Sequence, residues 1–284
     1  MKFETFFPFL QVDGPSGRSY TFEQLTVLTK KFGSALTKKG FKKGDVFAIL
    51  LPNLPEFPIV YYGVTFIGGV VTTMNPLYTM EEITHQLQDA GVSFIITIPL
   101  FADKVKESTS SVGIETVYVV GEAEGCESLS TLLQDDGEDF PENVEINSKE
   151  DIACLPYSSG TTGVPKGVML THYNLIADAS IVTHESFMWN KEEDAAILGL
   201  LPFFHSFGQV ISMSCALLKG AKVVCVPKFE PESFLKIIQD HKVGSFSFPC
   251  FHASLPLCFL SFLRRDFSAF LLACLRHSFH FFLV

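Results

Sequence analysis

Short, unbroken apolar runs recur through the first 244 residues, each separated from the next by a stretch with helical spacing. Val46 to Leu51 is such a run, and Val70 to Thr73, Ser93 to Ile98 and Val117 to Val120 repeat it. A strand with one wet face alternates apolar and polar residues, so a run that is apolar throughout predicts a strand buried on both faces, as in a helix-covered parallel sheet. The intervening segments fit that picture. Thr21 and Gln24 make a T-x-x-Q capping box, and Phe22, Leu25, Leu28, Phe32 and Leu36 then recur at helical spacing until Gly40. Glu56 to Ile67 and Met80 to Ala90 also predict helices, the second opened by a Thr79/Glu82 box and closed by Gly91. After Gly121 to Asp151, read as a polar surface connection with a Leu129 to Leu133 insert, strands are predicted at Ile152 to Tyr157, Ala196 to Leu201 and Ala221 to Pro227. Helices are predicted at Tyr173 to Ser186, Ser206 to Leu218 and Pro231 to His241. Such alternation defines an α/β chain with mainly parallel sheets and helices on both faces.

Composition narrows the function classes. The chain is 47% hydrophobic and 18% charged, which excludes the disordered and fibrous classes. Its formal net charge is −10, and the final stretch carries Arg264, Arg265 and Arg276 against Asp266 alone, so the body is more acidic still. That balance argues against a nucleic acid partner while leaving room for one nucleotide in a local pocket. The seven cysteines show no C-x-x-C pair, which points to a reducing compartment rather than a zinc site. Phe6 to Leu10 is too short for a signal-peptide core and follows Glu4, so no secretion signal is read and an intracellular, cytoplasmic or peroxisomal, location is expected.

The segment Tyr157-Ser158-Ser159-Gly160-Thr161-Thr162-Gly163-Val164-Pro165-Lys166-Gly167-Val168 directly follows a predicted strand. Gly160, Gly163 and Gly167 allow backbone approaches that a Cβ would block, so successive N–H groups can converge on an anion. Ser158, Ser159, Thr161 and Thr162 add hydroxyl donors, and Lys166 adds a mobile positive charge suited to a polyphosphate. Pro165 and Gly167 flank the lysine, so this is neither a Walker A loop nor G-x-G-x-x-G. A generic Ser/Gly stretch would be an ordinary turn; this order of residues reads as a phosphate cradle.

Ser158 to Gly167 resembles the signature of the adenylate-forming superfamily of acyl-CoA synthetases, adenylation domains and luciferases. Leu51-Pro52-Asn53 with Glu56-Phe57-Pro58, Asn75-Pro76-Leu77-Tyr78-Thr79, Thr171-His172-Tyr173-Asn174-Leu175 and Leu201-Pro202-Phe203-Phe204-His205 resemble its 4-coumarate:CoA ligase and luciferase-like branch, in order and spacing, over roughly residues 15 to 247. The resemblance implies a partial N-terminal domain of an adenylate-forming enzyme over 1–247. It implies ATP, Mg²⁺ and CoA as cofactors, and an aryl or fatty carboxylic acid as substrate. ATP phosphates would be held by Ser158, Ser159, Gly160, Thr161, Thr162, Gly163 and Lys166. His205 would line the acid pocket and move between half-reactions, with Phe207 beside it in place of a family tyrosine, favouring an apolar acid. Lys228 is a candidate for the CoA phosphates or, equally, an exposed lysine at a helix start.

The same resemblance sets expectations for what should follow. No Tyr comes after Tyr173 and no Lys after Lys242, so the Y-G-x-T-E segment and the lysine of the small C-terminal domain have no counterpart, nor does a T-G-D segment. All 20 glycines lie at or before Gly244, whereas residues 248–284 are rich in Phe, Leu, Ser, Cys and His. That stretch is read as non-coding or frame-shifted sequence, with a membrane anchor over Phe246 to Leu263 as the other reading. Two functional readings stay open: an acid–CoA ligase, or a truncated, inactive chain that at most captures ATP or phosphate.

Overall fold

The computed structural model describes residues 11–158, 165–184 and 196–245. Strands β1 (Gln11–Asp13) and β2 (Ser19–Tyr20) open the chain, followed by α1 (Phe22–Lys38), β3 (Val46–Ile49), α2 (Phe57–Phe66), β4 (Val70–Thr73), α3 (Met80–Asp89), β5 (Val92–Thr97), α4 (Ala102–Val112) and β6 (Val117–Val119). Next come β7 (Glu127–Ser128), α5 (Leu129–Leu133), β8 (Ile152–Cys154), β9 (Tyr157–Ser158), β10 (Lys166–Gly167), β11 (Leu170–Thr171) and α6 (His172–Val182). The last described elements are β12 (Ala196–Gly199), a π-helix (Gly208–Ser214), α7 (Cys215–Lys219), β13 (Lys222–Cys225), α8 (Pro231–His241) and β14 (Val243–Ser245).

Among the described residues these strands make a seven-stranded sheet of order β11-β8-β4-β3-β5-β6-β7, a five-stranded sheet of order β14-β12-β13-β1-β2, and the two-stranded ribbon β9–β10. The apolar runs are central parallel strands, as their composition requires. β3 lies between β4 and β5, with Phe47 opposite Val71 on one side and Phe94 on the other, and all four β3 residues are buried. Phe47 meets Phe32 of α1 edge-on at 5.8 Å between ring centres and Phe94 stacked at 6.3 Å, tying helix to sheet. Each fully buried ring of this kind contributes about 1.5–3 kcal/mol. Helices α1 and α2 cross closely at Gly63, where a Cβ would come within 2.5 Å of the Phe32 ring. Both N-terminal capping boxes form, Thr21 with Gln24 and Thr79 with Glu82.

Three features depart from the sequence reading. The 102–112 segment, where no helix is predicted, forms α4; its polar, serine-rich face carries little apolar periodicity beyond Ala102 and Val105. The N-terminal hairpin β1–β2 joins the five-stranded sheet through parallel pairing of Gln11 with Val223, a partner too distant in sequence for local pattern to reveal. Gly121 to Asp151 is more than a surface connection, because Leu129 and Leu132 are buried against the main core. The hairpin is clamped to α2 as well: Glu56, 2% exposed, is paired with Arg18 and accepts a 2.8 Å hydrogen bond from the Tyr20 hydroxyl. No helix among the described residues is long and apolar enough to cross a membrane, and residues 248–284 lie outside them.

Candidate functional site

In open parallel sheets the segments that leave the carboxyl ends of strands form the ligand-binding side. Here four such segments converge: those after β3, β4, β8 and β12. Pro156 breaks the strand predicted to run from Ile152 to Tyr157, so β8 ends at Cys154 and the chain turns into the separate ribbon β9–β10. The ribbon is antiparallel, with Lys166 opposite Ser158 and Gly167 opposite Tyr157. It brings the two ends of the glycine- and hydroxyl-rich segment together and leaves Ser158 and Lys166 exposed beside one another. Ser159, Gly160, Thr161, Thr162 and Gly163 lie outside the described residues. A Cβ at Gly167 would come within 3.2 Å of the Tyr157 ring across the ribbon, so any larger residue there would push that ring aside by a few tenths of an ångström. The Tyr157 hydroxyl donates to Asp89 at the end of α3; burial, then that hydrogen bond, raises its pKa.

His205 occupies the turn between β12 and the π-helix. Its backbone N–H donates to Pro202 O at 3.1 Å, and its Nδ1 accepts from the Phe207 N–H at 3.3 Å. The ring is exposed, yet the atoms packed around it desolvate it enough to pull its pKa below the ordinary 6.5, favouring the neutral imidazole near pH 7. The predicted helix from Ser206 to Leu218 is a π-helix followed by α7, and π segments often mark functional positions. Gly208 makes that winding fit: an added Cβ would lie 2.2 Å from Pro202 O and 2.6 Å from Leu201 O.

The groups that hold this turn escaped the sequence reading. Asn53, 4% exposed and just beyond β3, donates from Nδ2 to Gly199 O and Leu201 O, both at 2.8 Å, and accepts from the Phe203 N–H at 2.8 Å. Thr73, the last residue of β4, donates to Phe204 O at 2.7 Å. One amide and one hydroxyl therefore bridge the seven-stranded sheet to the segment carrying His205. The available signal was Asn53 itself, a short amide directly after a buried run, inside the quoted L-P-N segment. Thr171 and Asn174 of another quoted segment form the capping box of α6, so they serve the helix start.

Lys228 follows β13, which runs parallel to β12 with Gly199 opposite Cys225, so its loop leaves the same sheet edge as the His205 turn. It is exposed and pairs with Glu230 at 3.1 Å. Among the described residues no three His, Cys, Asp or Glu side chains converge.

A family model described as AMP-binding enzyme matches residues 7–251, and the chain belongs to that family. It is 36% identical over 233 residues to 4-coumarate–CoA ligase 2 of Solanum tuberosum, covering 82% of this chain and 42% of that protein. The chain thus spans less than half the length of such relatives. Among solved structures it resembles a long-chain-fatty-acid–CoA ligase from Archaeoglobus fulgidus, with TM-score 0.72, 29% identity, and coverage of 84% of this chain and 48% of that one. ATP-bound MatB of Rhodopseudomonas palustris shares the fold at TM-score 0.69 and 24% identity, covering 81% and 44%. The resemblance read from the motifs, and the α/β fold of an adenylate-forming N-terminal domain, are borne out.

Proposed function

We propose that this chain carries the phosphate-holding ribbon and part of the acid pocket of an ATP-dependent acid–CoA ligase. The observation that carries the reading is the register of Ser158 against Lys166 on a ribbon that leaves the carboxyl end of β8. That arrangement presents a hydroxyl and a mobile cation together at the sheet edge where nucleotides are bound. Membership of the AMP-binding family and the ATP-bound relative of the same fold support it.

In the first half-reaction a carboxylate oxygen attacks the ATP α-phosphorus, the bond to the β-phosphate oxygen breaks, and pyrophosphate leaves with the acyl-adenylate formed. In the second, the CoA sulfur attacks the acyl carbon, the thiol proton passes to solvent, and AMP departs. Lys166 offsets charge that grows on the leaving pyrophosphate, with Ser158, Ser159, Thr161, Thr162, Gly160 and Gly163 as hydrogen-bond donors around it. Neutral His205 and Phe207 face the acid, and the missing hydroxyl at Phe207 favours an apolar aryl or fatty acid. Lys228 meets CoA phosphates once released from Glu230.

The test is exchange of labelled pyrophosphate into ATP by the purified 284-residue chain, with aryl and fatty acids supplied in turn. Exchange that rises with the acid supports the ligase reading. ATP binding without exchange confines the chain to holding the nucleotide, and absence of ATP binding overturns the proposal.

A further inference from the structure

We infer that Gln86, Thr72 and Thr73 form a positioning relay that fixes the phosphate ribbon and the His205 turn relative to each other. The inference rests on the role proposed above for the ribbon. Successive strand residues point to opposite faces, so Thr72 and Thr73 at the end of β4 reach in two directions. The Thr72 hydroxyl donates to Leu155 O at 2.8 Å, three residues before Ser158. The Thr73 hydroxyl donates to Phe204 O at 2.7 Å, one residue before His205. A hydroxyl has a single proton, and with it committed to Leu155 the Thr72 oxygen accepts from Gln86 Nε2 at 2.8 Å. The second Gln86 N–H reaches Thr73 O at 3.1 Å, so one amide from α3 grips both threonines. The same helix holds the ribbon a second time, through Asp89 and the Tyr157 hydroxyl.

Packing alone does not call for these residue types. Thr72, Thr73 and Gln86 are 0%, 4% and 1% exposed, positions that Val or Ile on the strand and Leu on the helix would fill, as Ile83 and Leu87 do beside Gln86. A buried polar group costs stability unless it is hydrogen-bonded. Gln86 bears that cost openly, since its Oε1 is buried with no hydrogen-bond partner among the described residues. Turning the amide over would set that oxygen against the Thr73 carbonyl and leave Thr72 without its donor, so the arrangement is fixed by its neighbours. A polar chain kept at such cost, and joining the two segments of the candidate site, is one that positions them.

The test reads each substitution at the segment it does not touch, with thermal unfolding recorded alongside. Thr72→Val is expected to shift the His205 imidazole resonances and its titration midpoint in the ligand-free chain. Thr73→Val is expected to weaken ATP binding by calorimetry about fivefold, the scale of one neutral hydrogen bond. Thr72→Ser and Thr73→Ser keep the hydroxyl and restore both readouts, and Gln86→Leu produces both defects. If Thr72→Val leaves His205 titrating as in the wild type, the hydrogen bonds are separate structural contacts and the relay is overturned, whatever happens to the melting temperature. Should the wild-type chain bind no ATP, the ligase reading falls while the His205 arm still decides the relay. If a Val variant does not fold, Gln86→Leu supplies the same crossed reading.

Discussion

Asn53→Ala offers the sharpest test of how the His205 turn is held. The native amide makes three hydrogen bonds of 2.8 Å, two to carbonyls and one from a backbone N–H, at a site only 4% exposed. Each contributes about 1 kcal/mol net, and a buried partner left unsatisfied costs about 1–3 kcal/mol. Some water entry into the space vacated offsets part of that, so the expected loss is about 3–5 kcal/mol, against a total for an ordinary domain of about 5–15 kcal/mol. Urea unfolding reads the loss as a lower midpoint at unchanged slope. A companion variant covers the case in which the alanine does not fold. Asn53→Asp keeps the shape and the acceptor for Phe203, but sets a carboxylate against two carbonyl oxygens. Those dipoles disfavour the charged form and raise its pKa in the folded state, so stability relative to wild type is greatest at low pH and falls as pH rises through that raised value. A loss under 1 kcal/mol for Asn53→Ala, or an Asn53→Asp penalty independent of pH, would refute this role for the Asn53 amide.

Gly208→Ala places a methyl 2.2 Å from a backbone oxygen and should cost about 3 kcal/mol by denaturant unfolding. Gly199→Ala, whose Cβ meets the Phe203 ring at 2.9 Å, should cost less because a ring can shift, and equal penalties would count against a backbone-locked turn. Desolvation holds the pKa of His205 down, so protonation opposes the folded state: stability is full above about pH 6.5 and falls as pH drops toward and through the lowered value. His205→Asn should flatten the part of the stability–pH profile between neutrality and pH 5, and an unchanged profile would contradict the assignment.

What the sequence displays is what is local. Both N-terminal capping boxes, the central strands and α8 follow from neighbours within a few residues, and the structure keeps them, α8 with both ends where the pattern puts them and the strands with ends moved by at most two positions. The strand predicted through Tyr157 is an instructive miss, because Pro156 ends it and converts its tail into the ribbon that gives Ser158 its partner. Glu56 and Asn53 were visible as motif letters, but their partners lie 38 and about 150 residues away, which no periodicity reports. Helix α4 failed to declare itself because its buried face is narrow and contains Ser108 and Thr109. The half of the candidate site that was legible is its chemistry, the glycines, hydroxyls and Lys166. The half that was not is its scaffolding, Asn53, Thr72, Thr73 and Gln86, polar residues in buried positions whose hydrogen-bond partners become visible only in the fold, where β4 lies between β8 and β3 and its end meets the His205 turn.

The central claim, that the ribbon holds nucleotide phosphates, rests most directly on Lys166. Calorimetric titration of the purified chain with ATP, repeated on Lys166→Ala, isolates it, because Lys166 is exposed. The account predicts that the substitution weakens ATP binding by about 1–3 kcal/mol, the scale of a hydrogen bond to a charged group, with an unchanged unfolding midpoint. Equal ATP affinity in the two proteins would contradict it.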